Sequence, residues 1–206
     1  ETLKYRFSPI VSTDGQRGVV MELEKKRETH AIVLDFLQNG YPFDKRPSHL
    51  KTPIAQALGI TKFALLELVP KKDVHLQPFQ RVYVGDDERM EVHHVNGRIG
   101  IGKLTQTAKS ELPHAIKVLV EEREPEFVDF FNKAQPLSTR MHALELLPGV
   151  GKKQMWEIIE ARKEADFKDF ADLKKRVKLL SDPKKLVINR IVREVEGKEK
   201  HRLFVR

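Results

Sequence analysis

The chain has 206 residues, 40% apolar and 33% charged, with a net charge of +8 and a sequence pI near 9.6. That length holds one large domain or two small ones, and a basic balance favours polyanionic partners through attraction to phosphates and release of counterions. The lack of cysteine excludes disulfides, thiolate metal sites and cysteine nucleophiles, and with no run of about 18 apolar residues and no apolar signal core in residues 1–8 a soluble cytoplasmic protein without membrane contact is expected.

The excess charge is unevenly spread. Residues 140–206 hold 18 of the 38 Lys and Arg but 11 of the 30 Asp and Glu, a net +7, so residues 1–139 are nearly neutral. Solubility alone does not require that asymmetry.

In chain order, Asp14-Gly15 is a turn signal and Arg17 to Leu23 fits a short strand. Lys25 to Glu28 reads as a solvated charged run. Ala31 to Leu37, closed by Asn39-Gly40, reads as a buried strand. Pro42, Pro47 and Pro53 predict a loop over 41–53. Further strands are predicted at Phe63 to Val69, ended by Pro70, and at Arg81 to Val84, ended by Gly85-Asp86-Asp87. Met90 to Val95 is followed by Asn96-Gly97, a strong hairpin signal, with Arg98 to Ile101 as the returning strand. Several short strands with turn signals suggest a small barrel, with an OB-like barrel as one candidate.

The pattern turns helical from Leu104 to Ala134, with Ile116, Leu119 and Val120 on one face. Pro125 divides this stretch into two helices, and Phe127, Phe130 and Phe131 form the apolar face of the second. Strand signals followed by helix signals predict an α+β chain of two domains. They are a β-rich OB-like domain over 1–135 with trailing helices, and an all-α domain over 136–200, followed by a tail over 201–206. Leu203 to Val205 fits an edge strand returning to the first domain.

Ser138 is a plausible N-cap for a helix over Thr139 to Leu147, on which Met141, Leu144 and Leu147 make an apolar stripe. Pro148-Gly149 ends it. Gly149 and Gly151 permit positive φ and close approach of another molecule. A second helix is predicted from Lys152 to about Lys163, with Met155, Ile158, Ile159 and Arg162 on one face. A tight turn feeding a helix leaves the first N–H groups unpaired, and these donors with the helix dipole favour an anion. Gly149, Val150 and Gly151 are the candidate backbone donors to a phosphate, and Lys152 and Lys153 add charge beside them. Such apparatus binds backbone without reading bases.

Leu147, Pro148, Gly149, Val150, Gly151 and Lys153 resemble, position by position, the helix-hairpin-helix motif of many DNA repair and recombination proteins. Members often carry alanine where this chain has Met155. The motif often occurs in pairs, and Phe167 to Leu173 resembles the segment following a first hairpin. A helix over Phe170 to Val177 would lead into Leu179 to Asp182. Asp182 would cap a last helix with Pro183 at its first position and Val187, Ile188, Ile191, Val192 and Val195 on its apolar face, ended by Gly197. That second connection has no glycine and reads as a structural half, although Lys184 and Lys185 lie at its helix start.

The chain as a whole is similar to an archaeal family of predicted RNA-binding proteins, domain of unknown function 655. The resemblance rests on Ala31 to Leu37, Phe130-Phe131-Asn132-Lys133-Ala134, the hairpin and the Leu203 to Arg206 ending. It implies an OB-like domain followed by a hairpin domain, with RNA favoured over DNA.

Other constellations are weaker. Phe79, Arg81 and Tyr83 alternate as an OB-type stacking face would, but read more simply as half-buried strand residues. His93-His94 would point to opposite faces of a strand, which suits no single metal. Asp86-Asp87-Glu88 reads as a turn. The expectation is a non-catalytic protein without cofactor or metal that binds nucleic-acid backbone. The alternatives are a protein-interaction module of a translation or repair complex, and a metal-dependent nuclease using the acidic turn.

Overall fold

Short apolar segments pair into one antiparallel sheet. The computed structural model describes residues 27–47 and 50–206, so the features expected at Asp14-Gly15 and Arg17 to Leu23 lie outside the described residues. Strand β1 (His30–Leu37) carries the expected apolar run, with Ala31 to Leu34 buried. It pairs with β2 (Ile54–Gly59), which pairs with β3 (Leu65–Pro70). The edges are β4 (Arg81–Tyr83) against β1 and β5 (Val92–Arg98) against β3. The sheet, in order β4-β1-β2-β3-β5, is curled into a half-barrel whose edge strands do not pair with each other. One face packs Val33, Ala55, Ala57 and Leu68 with Leu76 and Val82, and the other turns Ile32, Leu34, Leu58 and Leu65 toward the helices.

Three expectations for this half are corrected. Asn96-Gly97 is a bulge inside β5 and not a hairpin: Gly97 lies opposite Glu67 while Val95 lies opposite Leu68, so Asn96 is the extra residue. The Gly97 φ of 140° supplies the conformation a bulge needs. His93 and His94 do not diverge. The pairing slips again between Val69 and Pro70, alternation lapses, and the two Nδ1 atoms lie 2.6 Å apart. Glu28 is not solvated; its buried carboxylate accepts from the Thr61 and Lys62 N–H groups at 2.9 and 2.7 Å, tying down the β2–β3 turn.

Two helices follow, divided where Pro125 predicted. Helix α1 (Gln106–Glu122) is capped by Thr105, whose Oγ1 accepts from the Ala108 N–H at 3.0 Å and donates to Asp35 at 2.6 Å. Buried Gln56 completes that anchor, donating to the Lys103 carbonyl and accepting from the Thr105 N–H, both at 2.9 Å. Glu67 lies beside it and accepts from Tyr41 at 2.5 Å, Asn96 at 2.7 Å and Lys103 at 2.7 Å. Burial alone would raise the Glu67 carboxyl, but these three donors hold it below its ordinary value. Helix α2 (Glu124–Lys133) begins with Pro125 in its first turn and buries Phe127 and Phe131, with Phe130 half-buried.

The helix expected over Thr139 to Leu147 does not form. Its place is taken by a two-stranded ribbon, β6 (Pro136–Ser138) with β7 (Met141–His142), and a 3-10 turn over Ala143–Leu146. His142 decides this locally: its Nδ1 accepts from the Leu144 N–H at 3.1 Å while Glu145 accepts from the His142 N–H at 2.8 Å, a reciprocal cap that starts a helix four residues later than expected. Then come α3 (Lys152–Glu164), α4 (Phe170–Arg176) and α5 (Pro183–Val195). Asp182 caps α5 as expected, accepting from the Lys184 and Lys185 N–H groups at 3.0 and 3.3 Å.

The boundary placed near Gln135-Pro136 falls between α2 and β6, within one buried cluster that runs from Ile32 to Val205. Helix α1 packs on β1 and β2 and also on α5. The segment from His201 to Arg206 forms no strand. It does return to the sheet half, where the Arg206 N–H donates to the Lys62 carbonyl at 3.2 Å. Its backbone is held by a buried charge pair: Glu194 accepts from the N–H groups of Leu203, Phe204 and Val205 at 2.8 to 3.0 Å and from Arg190 Nε at 2.7 Å. No helix among the described residues is long and apolar enough to cross a membrane.

Candidate nucleic-acid interface

The segment Leu147 to Gly151 alternates buried and exposed. Leu147 and Val150 are sunk in the core, and Gly149 and Gly151 are exposed on either side of Val150. The buried side chains thus fix a turn whose outer surface is bare backbone. Only Gly149 needs glycine for its conformation, with φ at +89°; Gly151 is extended, with φ −97° and ψ −178°.

The donors are distributed differently from expectation. The Val150 N–H closes the turn on the Leu147 carbonyl at 3.0 Å, and the Gly151 N–H donates to Gln154 Oε1 at 3.1 Å. The N–H groups of Lys152, Lys153 and Gln154 have no partner among the described residues, and no side chain caps α3. The open donors therefore lie one turn further on, at the helix start proper, where the positive end of the dipole adds to their field. The Lys152 and Lys153 side chains are exposed beside them.

The turn is held from behind. Arg190, only 2% exposed, donates from Nη1 to the Leu146 carbonyl at 2.7 Å, joining the turn to α5. Arg162 donates from Nη1 to the Phe131 and Ala134 carbonyls, both at 3.0 Å, fastening α3 to the C-terminal end of α2 where a cation is favoured. Asn132 exchanges hydrogen bonds with the Phe167 N–H and carbonyl at 2.8 and 3.0 Å. Met155 is buried on α3, so the bulkier side chain is accommodated.

A groove of about 560 Å³ runs beside the turn, lined on its far side by Arg190, Arg193 and Glu199. Glu199 is paired with Arg190 and Arg193 at 3.0 and 3.1 Å. Sequence reasoning missed Arg190, Gln154 and Trp156. Gln154 had a signal, since it stands three residues after Gly151 where a capping-box residue stands. Trp156 is 57% exposed on α3.

The other candidates are engaged elsewhere. Arg81 pairs with Glu122 at 2.5 Å, and the Tyr83 hydroxyl donates to Asp87 at 2.9 Å. Asp86 lies 3.7 Å from Arg27. Phe79 is 40% exposed at φ 63°. Among the described residues no three His, Asp or Glu side chains converge as a metal-ligand set. Lys184 pairs with Glu121 at 3.1 Å.

Among the described residues, these features define a mixed α/β protein in which a curled five-stranded sheet and five α-helices share a core. The chain belongs to the family described as protein of unknown function DUF655, whose model matches residues 27–206. It is 41% identical over 184 residues to an uncharacterized protein of Methanocaldococcus jannaschii, covering 88% of this chain and 82% of the relative. A crystal structure of a family protein from Archaeoglobus fulgidus is similar at a TM-score of 0.81 and 44% identity, covering 87% of this chain and all of that one. Both relatives are archaeal.

Proposed function

We propose that the protein binds nucleic-acid backbone in the cytoplasm, RNA in preference to DNA, without catalysing a reaction on it. In this reading residues 143–164 are a helix-hairpin-helix whose first helix is reduced to the 3-10 turn and whose second is α3. The half-barrel is then an OB-like first domain, with the second hairpin unit of α4 and α5 buttressing the first. The observation that carries the reading is the uncapped start of α3. Three adjacent N–H groups without partners among the described residues lie beside two exposed lysines, on a turn fixed by Leu147, Val150 and Arg190. That combination suits a phosphate and reads no base.

The test is affinity for a generic single-stranded RNA and a duplex DNA as a function of salt. Binding at low salt should weaken with added salt. Changing Lys152→Glu and Lys153→Glu together should lower affinity for both and flatten the log–log salt slope by about 1–2. No binding at low salt, or binding indifferent to the double substitution, would end this reading.

A further inference from the structure

We infer that Trp156 is a stacking seat for an unpaired base, so that this face takes single-stranded nucleic acid in preference to duplex. The inference rests on the backbone-binding reading above and adds to it a ligand class.

Trp156 is the chain's one tryptophan, and the residue is 57% exposed on a helix whose next-door residue Met155 is buried. Tryptophan is mostly buried in folded proteins, so an indole that open lacks the contacts its size would ordinarily supply. It follows Lys152 and Lys153 by four and three residues. It therefore shares their face of α3 and stands about 6 Å beyond Lys152 and about 4.5 Å beyond Lys153 along the axis.

The surroundings are basic. The α4–α5 connection is fastened to α3 at the neighbouring residue, where the Lys178 N–H donates to Glu157 Oε1 at 2.9 Å. That bond brings Lys178 and Leu179, itself 48% exposed, up to α3. Of the carboxylates nearby, Glu157 accepts that N–H through Oε1 while its buried Oε2 has no partner among the described residues, and Glu160 is paired with Lys163 at 2.7 Å. Lys152, Lys153 and Lys178 have no carboxylate within 4 Å among the described residues. An exposed indole that shares its helix face with two lysines free of carboxylate partners among the described residues complements a strand that is polyanionic along its backbone and aromatic at its bases. It is a poor match for a protein partner, which would have to desolvate those lysines. In a duplex the base faces are covered by their neighbours, and an indole beside the backbone has nothing to stack on. In a single strand every base offers a π-face.

The experiment uses the full chain with two probes, a ten-nucleotide oligouridylate and a blunt RNA duplex of the same length. Intrinsic fluorescence and probe anisotropy are followed together. Oligouridylate should bind more tightly and quench Trp156 saturably. Trp156→Ala should weaken oligouridylate binding roughly 5- to 150-fold, the range of a single base–aromatic stack. It should leave duplex binding unchanged, and Trp156→Phe should restore most of the loss. Lys152→Glu with Lys153→Glu should weaken both probes. Tighter binding of duplex, saturable binding without quenching, or equal affinities for wild type and Trp156→Ala would overturn the stacking seat. If the lysine substitutions still weakened both probes, the backbone-binding reading would stand. Failure of both probes to bind at low salt would end both readings.

Discussion

Removing the carboxylate of Glu194 tests how the helical half is closed. Glu194 is 2% exposed and serves four donors: Arg190 Nε and the backbone N–H groups of Leu203, Phe204 and Val205. Glu194→Ala leaves Arg190, also 2% exposed, with Glu199 at 3.0 Å as its remaining carboxylate. It also strands three N–H groups. Breaking a buried pair by deleting one partner costs about 3–5 kcal/mol. The tail can relieve the stranded donors by leaving, but then Phe204 gives up its edge contacts with Phe127 and Phe130, at centroid distances of 5.5 and 5.1 Å. The net loss should stay near about 3–5 kcal/mol, a large share of the roughly 5–15 kcal/mol that such folds possess. Urea unfolding followed by far-ultraviolet circular dichroism measures it. If the carboxylate acts by holding the tail, Glu194→Ala and removal of residues 203–206 should be non-additive by at least about 1 kcal/mol. A loss below about 1 kcal/mol for Glu194→Ala, or strict additivity, would refute the buried-pair account.

Three further outcomes follow from the geometry. Gly149→Ala places an L side chain at φ +89°, where its Cβ would meet Leu186 Cδ2 only at 3.8 Å, so strain without a clash should cost about 1–3 kcal/mol in urea unfolding. Burial, then the charge of Arg162, holds the His142 imidazole below its ordinary value against the pull of Glu145. The fold thus favours the neutral ring, whose contribution is intact above about 6.5 and is lost as pH falls through the lower folded value; His142→Asn, which keeps a capping acceptor, should remove that acid-side dependence from stability measured against pH. Burial, then the hydrogen bond to Glu67, pushes the Tyr41 hydroxyl up to about 12, so its protonated form supports the fold below about 10 and this support is lost as pH rises through the folded value. Phenolate absorbance should show a tyrosine titrating near 12 that disappears in Tyr41→Phe.

Where one local rule acts alone, the chain was readable. Ala31 to Leu37 is apolar but for Asp35 and is a strand; Pro125 sits in the first turn of α2; Asp182-Pro183 starts α5. Where two rules compete, reading failed. Ile54 to Gly59 is a strand that no expectation covered; Gln56 stands inside its apolar run and is buried to anchor the start of α1. Asn96-Gly97 is as much a bulge sequence as a hairpin sequence, and pairing to β3 decides between them. At the candidate site, the glycines, the start of α3 and the exposed lysines were legible. The donor assignment was not, because Gln154 occupies the Gly151 N–H from the far side of the cap. Arg190 and Glu194 sit four apart on α5, a spacing ordinarily read as a solvated pair. Only the tail and the Leu146 carbonyl turn them inward.

Because α1 is a wall common to the sheet and to α5, occupancy at the start of α3 should be felt where no ligand reaches. A molecule that binds only the folded chain stabilises it by about 2.7 kcal/mol at a hundredfold excess over Kd. If sheet and helices open together, that protection is not confined to the bound face. The Val33 amide, donating to the Gln80 carbonyl at 2.9 Å on the sheet, then exchanges its hydrogen more slowly as ligand is added. A buried strand amide becomes a remote gauge of how full the surface of α3 is.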